Sequence, residues 1–499
     1  MLALACVALL AAAGPWSLAD AAAGREEAFI GYSERAAECK DRLEDCHGKA
    51  KRNGCIRDPY NMRTFCPISC GVSKCMSTGT LKVRHRGSVT QEDTSAFAQR
   101  WTAGQLGKQG ASAGAHSHFR NIMLGGDKLQ LSSVGVGTYL GALDARTDEA
   151  VAAAVVYSVA SGWNVIDTAS NYRWGRAEAA VGAALDSLLA GASVRDFLQD
   201  GAYAADVTRG MLFISTKAGF VDEALVRQLV KDKALSRKEV VSGHSLAPAY
   251  LRASVEASLE RLNLHTVDLV YLHNPAEMQL QALGKAGFRS KMVQAFKALE
   301  ELRAAGSVRH YGVASWDCFR VPPTDAGHLS LEEVVSWARE AGGEKHGLAA
   351  IQLPVSASMP EAWSQPWQLV GNNSVTVMKA AEELGLAVFT SGPLGEGDLL
   401  KRLTGRLDGV VELRGQTTTA QKLIQIARST PGKAMATALV GHKTREFVVS
   451  NTALAAVDPM PESDFHSAMK AVRAIMSEGG AAADDVGADA GGSGAASST

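Results

Sequence analysis

Asn164-Val165-Ile166-Asp167-Thr168-Ala169-Ser170-Asn171-Tyr172 is the stretch on which the reading of this 499-residue chain turns. It opens on apolar, β-branched residues, as a buried strand does, and breaks into small polar residues, as the loop after a strand does. Asp167 falls where the strand ends, and Tyr172 follows in the loop. If the strand belongs to a parallel barrel, both side chains arrive at the C-terminal mouth, where such barrels carry their chemistry.

Outward from this stretch, apolar strand segments alternate with amphipathic helical patterns. Strands are expected at Val134–Gly137, Val165–Asp167, Leu212–Thr216, Leu269–Leu272, His310–Val313, Ala349–Leu353, Ala387–Thr390 and Thr437–Val440. Helical patterns fall between them, such as Asp148–Ala160, Pro248–Leu262, Lys291–Ala305 and Thr444–Leu454. Eight such alternations across residues 119–476 predict an α/β fold, a (β/α)8 TIM barrel rather than a doubly wound sheet. A hairpin at residues 121–131 is expected to close the barrel floor. A long connection, residues 219–247, lies on the mouth face and is expected to contribute to the substrate pocket.

Composition bounds the partners. The chain is 46% hydrophobic and 21% charged with net charge -1, so no general affinity for nucleic acid or acidic surfaces is expected. The apolar run Leu2–Ala13, followed by small residues around Ala19-Asp20-Ala21, reads as a signal peptide over residues 1–22, although its n-region lacks Lys and Arg. The run is shorter than the ~20 residues a membrane helix needs. A secretory route, to the ER lumen or outside the cell, is expected. Residues 76–118 are polar and rich in Gly, Ser and Ala, as a linker is, and residues 477–499 read as a disordered tail.

Six of the eight cysteines crowd residues 38–75: Cys39, Cys46, Cys55, Cys66, Cys70 and Cys75. So short and apolar-poor a segment cannot bury a sufficient core, so disulfides would have to restrain it. A zinc site is disfavoured, because paired C-x₂-C spacing is lacking. Six cysteines permit 15 pairings, and spacing does not choose among them. The pattern Cys39…Cys46…Cys55…Asp58-Pro59-Tyr60…Phe65-Cys66-Pro67-Ile68-Ser69-Cys70-Gly71…Cys75 resembles the ShK toxin-like (ShKT) domain. That resemblance implies Cys39–Cys75, Cys46–Cys66 and Cys55–Cys70. Tyr60-Asn61 stands where channel-blocking members carry Lys-Tyr, so docking to another protein is expected instead.

Three strand ends present four ionisable groups: Asp167 and Tyr172 after strand 2, Lys217 after strand 3 and His273 after strand 4. A phenol with pKa ~10 is a poor acid at neutral pH. A nearby ammonium stabilises the phenolate and lowers that value, while a carboxylate keeps the ammonium charged and aimed. A neutral histidine donates a hydrogen bond to a carbonyl oxygen. Together they make a proton donor for an alkoxide that forms as hydride reaches a carbonyl carbon.

The segments Gly137-Thr138-Tyr139, Ile166-Asp167-Thr168-Ala169-Ser170-Asn171-Tyr172, Ser215-Thr216-Lys217 and Asp268-Leu269-Val270-Tyr271-Leu272-His273-Asn274-Pro275 resemble the aldo/keto reductase family. Gly312-Val313-Ala314-Ser315-Trp316, Ile351-Gln352-Leu353-Pro354 and Pro393-Leu394 extend the resemblance. It implies reversible NAD(P)H-dependent carbonyl reduction, with Tyr172 as acid/base, Lys217 and Asp167 as its tuners, and His273 as the substrate-orienting donor. Among cofactor contacts it implies Gly137 and Thr138, Ser315 and Gln352 at the carboxamide, and Leu394 at the pyrophosphate. Lys443, Thr444 and Asn451 would grip an adenosine 2′-phosphate, so NADP is expected over NAD; a helix start with Lys and Thr suits a phosphate on physical grounds too. The chain departs from the family where Ser391 replaces a common stacking aromatic and Ala314-Ser315 replaces a Ser-Asn pair. A nucleotide-sensing or ion-channel-docking protein on the same barrel is the alternative function.

Overall fold

The computed structural model describes residues 84–109, 118–190, 207–413 and 417–485. The expected signal peptide and the expected six-cysteine module with its implied disulfides lie outside the described residues. Eight parallel strands close into a barrel: β3 (Val134–Gly137), β4 (Val165–Asp167), β5 (Phe213–Ala218), β6 (Val267–His273), β7 (Val308–Ala314), β8 (Leu348–Pro354), β11 (Ala387–Ser391) and β12 (Met435–Gly441). β12 pairs with β3 from Ala438↔Val134 to Gly441↔Gly137, which seals the circle. The (β/α)8 expectation holds, and each expected strand sits on an observed one. β1 (Phe119–Leu124) and β2 (Asp127–Ser132) form the expected hairpin. β9 (Gln368–Val370) and β10 (Asn373–Val375) form a second one outside the barrel.

Helices cover the strands: α2 (Ala145–Ala160), α3 (Arg176–Leu189), α4 (Glu223–Lys231), α5 (Pro248–Leu262), α6 (Pro275–Ala304), α7 (Leu331–Gly342), α8 (Glu361–Ser364), α9 (Val377–Glu383), α10 (Asp398–Leu403), α11 (Thr419–Arg428), α12 (Arg445–Thr452) and α13 (Glu462–Asp485). Their starts follow local chemistry. Asp144 caps α2 by accepting from the Thr147 amide at 2.7 Å, and Pro248 opens α5, where a missing N–H costs nothing. α6 begins well before the expected Lys291. Its N-terminal Pro275 starts it, and Gly284 at φ 65 kinks it between two runs.

The period-2 pattern of the strands orders the barrel interior from floor to mouth. Val165, Phe213 and Leu269 are buried with the hairpin residues Ile122, Leu124, Leu129 and Leu131. Phe213 stacks on Phe389 at 5.2 Å between ring centroids. Two residues further along each strand come Asp167, Ser215 and Tyr271, then Lys217 and His273. One apolar layer therefore supports the polar one.

Two expectations about the chain ends need correcting. Within the expected linker, residues 91–109 form a helix, α1 (Gln91–Gln109). Its composition is weakly amphipathic, so tertiary contacts hold it. Val89, Thr94, Phe97 and Ala98 are buried, the Val89 amide donates to Asp268 Oδ1 at 2.7 Å, and the Gln130 amide donates to Thr94 Oγ1 at 3.2 Å. At the other end α13 runs past residue 476 to Asp485, and it buries Phe465, Met469 and Val472 against Leu403 and Leu423. Side chains of this kind stabilise by about 1.5–3 kcal/mol each when fully buried. Among the described residues no helix is long and apolar enough to cross a membrane.

Candidate active site

The mouth holds a buried charged pair. Asp167 ends β4 and Lys217 lies near the end of β5, and register pairs Asp167 with Ser215 on the neighbouring strand. This places the Lys217 ammonium on Asp167 Oδ2, both side chains being at most 4% exposed. Lys217 Nζ also donates to the Thr168 carbonyl at 2.9 Å. The other carboxylate oxygen accepts from Ser215 Oγ at 2.7 Å and from Gln352 Nε2 at 3.0 Å. Desolvating two charges is costly, and a buried pair survives when its remaining lone pairs are satisfied, as they are here.

Tyr172 and His273 complete the cluster. Lys217 Nζ lies 4.7 Å from the centre of the half-buried Tyr172 ring. The Tyr172 and His273 rings meet edge-on at 5.8 Å. Tyr139 lies against Tyr172 at 4.9 Å and Phe220 against His273 at 5.0 Å. Arg173 and Trp174 adopt left-handed backbone at φ 50 and φ 57, a conformation that costs of order 1–3 kcal/mol per residue. It persists because the Arg173 guanidinium is buried against Asp148 Oδ1 at 2.5 Å and the Ala142 carbonyl at 2.9 Å. The turn leaves Trp174 at 66% exposure beside Tyr172.

Electrostatics sharpen these assignments and correct one. Burial is the larger influence on Tyr172, and it raises the phenol above its usual 10 despite the opposing pull of Lys217. The expected net lowering is not found; desolvation of a phenolate outweighs one ammonium. Burial alone would lower Lys217, but Asp167 and Tyr172 reverse it and hold the ammonium above its usual value. His273 is pushed well below 6.5 by burial first, then by Lys217 and His244. At neutral pH the mouth therefore holds a protonated phenol, a charged lysine and a neutral imidazole.

Around this core, Thr138 Oγ1 donates to the Asp167 carbonyl at 3.2 Å, so Gly137 and Thr138 border the cluster from β3. Gln352 spends its amide N–H on Asp167, which leaves its carbonyl oxygen to accept from a carboxamide. Ser315 Oγ donates to Glu277 Oε1 at 2.5 Å and accepts from the Cys318 amide at 2.9 Å. Toward a cofactor it can only accept. Thr444 stands at the N-cap position of α12, but its side chain makes no capping hydrogen bond. The Lys443 side chain lies close over Gly141. Asn451 is buried with Nδ2 3.5 Å from His442 Nδ1, and Leu394 packs with the cluster around α13; neither touches the central network. Asn171 Oδ1, Thr168 Oγ1, Thr390 Oγ1 and His273 Nδ1 are buried without a partner. Buried polar atoms of this kind are rare without a ligand or water to meet them. A polar group such as nicotinamide and its carbonyl substrate suits this mouth.

Ser215 and His244 were not singled out from sequence. Ser215 lies two residues before Lys217 and so faces the same way, a signal the period-2 rule carries. His244 lies in the long connection expected to contribute to the pocket; it and Ser245 are fully buried, while Phe220 of the same connection lies against His273.

Residues 133–324 match the model of the aldo/keto reductase family. The chain is 27% identical over 205 residues to an NADH-specific methylglyoxal reductase of Escherichia coli, a match that covers 40% of this chain and 52% of that one. It is 40% identical over 65 residues to a D-threo-aldose 1-dehydrogenase of a Pseudomonas species, covering 13% and 17%. The chain thus spans about half the length of the first relative and less of the second. Among solved structures, an aldo-keto reductase of Klebsiella pneumoniae in complex with NADPH is 18% identical, covering 70% of this chain and 94% of that one with a TM-score of 0.46.

Proposed function

We propose that this chain is an NAD(P)H-dependent oxidoreductase that reduces an aldehyde or ketone to an alcohol. The observation that carries the proposal is the Asp167–Lys217–Tyr172–His273 cluster at one mouth, with its protonated phenol beside a buried ammonium. A bound nicotinamide supplies the hydride. Gln352 and Ser315 would hold its carboxamide, and Lys443 and Thr444 a 2′-phosphate, which favours NADP. The named relative in Escherichia coli is NADH-specific, so the preference rests on those two residues.

The side chains divide the proton chemistry. Neutral His273 donates to the substrate oxygen and orients the carbonyl. Tyr172 gives its hydroxyl proton to that oxygen as negative charge develops there. The phenolate left behind forms beside the Lys217 ammonium, which Asp167 holds in place. Lys217 thus favours the state after proton transfer more than the state before, as catalysis requires.

The test is NADPH and NADH oxidation by the full chain against a carbonyl panel that includes methylglyoxal, beside Tyr172→Phe. Turnover that Tyr172→Phe lowers by about 10²–10⁴-fold with cofactor affinity retained is expected. A wild type that binds NADPH tightly and reduces no carbonyl would overturn the proposal and favour a nucleotide-sensing role.

A further inference from the structure

We propose that His244, on the long connection after β5, is the positioning residue that holds His273 at the mouth; this rests on the role given to His273 above. The β5–β6 ladder ends at Ala218↔Leu272, whereas β6–β7 continues to His273↔Ala314. On its β5 side the His273 carbonyl therefore has no strand to pair with. His244 supplies the missing donor, with Nε2 2.8 Å from that oxygen.

The imidazole is itself fixed from three directions. Gln279, in the first turns of α6, donates through Nε2 to His244 Nδ1 at 2.9 Å and to the His244 carbonyl at 3.2 Å. The His244 amide donates to the Val241 carbonyl at 2.9 Å, and the Val241 amide donates back at 2.8 Å. Phe220 closes on the ring edge-on at 5.4 Å. A carbonyl can only accept, so Nε2 must carry a proton; burial holds the ring neutral, so Nδ1 must accept. The two contacts select one tautomer and one orientation. Gly219 makes room: at φ +143, a Cβ there would lie 2.3 Å from His244 Nε2. On its β7 side the same peptide is held by the Asn274 amide, which donates to the Ala314 carbonyl at 2.6 Å, and Asn274 then turns left-handed at φ 50, so His244 is the contact that fixes the β5 side. A small displacement of that peptide moves the donor off the substrate oxygen, and misplacement by about 1 Å can cost 10²-fold.

Three full-chain variants test this: His244→Phe keeps the ring and loses the donor, His244→Gln keeps an N–H near Nε2, and Gly219→Ala crowds the ring. Expected are a kcat reduced about 10- to 100-fold in His244→Phe and Gly219→Ala, recovery toward wild type in His244→Gln, and an unchanged KM for NADPH. In a His273→Ala background, His244→Phe should cost nothing further. Loss of equal size in both backgrounds, or wild-type kcat in His244→Phe, would overturn the proposal. Histidine-labelled NMR supplies a readout independent of turnover: His273 ring resonances should move in His244→Phe and hold in His244→Gln. If the wild type reduces no carbonyl, the oxidoreductase function falls, and these resonances alone decide the positioning role. Unmoved resonances in His244→Phe sink it.

Discussion

Lys217→Met separates what the buried pair does for folding from what it does for chemistry. The substitution keeps the length of the stem and removes the ammonium from Asp167 Oδ2. The carboxylate keeps Ser215 and Gln352 as donors, but its buried charge loses its counter-charge. Breaking a buried pair from one side costs about 3–5 kcal/mol, which corresponds to a fall in Tm on the order of 10 °C for a domain of this size. Activity should fall for a different reason. An ammonium within 4–6 Å shifts a neighbouring acid by about 1–3 units, and Lys217 Nζ lies 4.7 Å from the Tyr172 ring centre. Without it the phenolate forms less readily, and kcat should drop by about 10- to 1,000-fold. The double variant Asp167→Leu/Lys217→Met removes both charges, and apolar replacement of a buried pair is often close to neutral. It should recover most of the lost Tm and none of the lost kcat. Thermal unfolding and NADPH oxidation on the same three proteins decide the matter. A double variant that regains turnover, or a single variant within about threefold of wild-type kcat, would refute the electrostatic role of Lys217.

Other predictions follow from the same geometry. His244 and His442 are both held near 4 by burial, against ~6.5 unfolded. The unfolded chain thus binds these protons first, stability is full above pH ~6.5, and about 3 kcal/mol per histidine is lost as pH falls toward 4; denaturant midpoints between pH 4.5 and 7.5 should trace this. Because His273 titrates well below 6.5 and Tyr172 above 10, kcat for reduction should stay level from about pH 6 to 9, and a histidine-like inflection near 6.5 in that profile would contradict a neutral His273. Lys443→Ala should raise KM for NADPH roughly tenfold and leave that for NADH unchanged, since one lost charge-assisted contact is worth about 1.5–3 kcal/mol at most; equal effects on both cofactors would remove the basis for NADP preference. Deleting residues 1–110 removes α1 and the Val89–Asp268 hydrogen bond, so that chain should melt well below one that begins at residue 84, with differential scanning fluorimetry as the check.

The barrel and its central charges were legible because both are written in short-range pattern. A strand with period 2 must point Ser215 and Lys217 the same way, and Leu269, Tyr271 and His273 likewise. Once eight strands are placed, the inward face and the mouth follow without knowledge of any contact between distant residues. What was illegible depends on such contacts. α1 has little amphipathic signal of its own, and its place is set by an amide that meets Asp268 some 179 residues away. The net rise of the Tyr172 pKa depends on how far the surrounding loops shut out water, which residue identity does not state. His244 is the clearest case. Its local string, Val241-Ser242-Gly243-His244-Ser245, lies in the connection expected to contribute to the pocket, and nothing in it marks a buried imidazole. Only when β5 stops one residue short of His273 does an unpaired carbonyl appear, and only the fold brings the imidazole to it. A histidine buried in a loop is therefore better judged by the carbonyl it meets than by the sequence around it, and the double-variant comparison with His273→Ala applies that criterion directly.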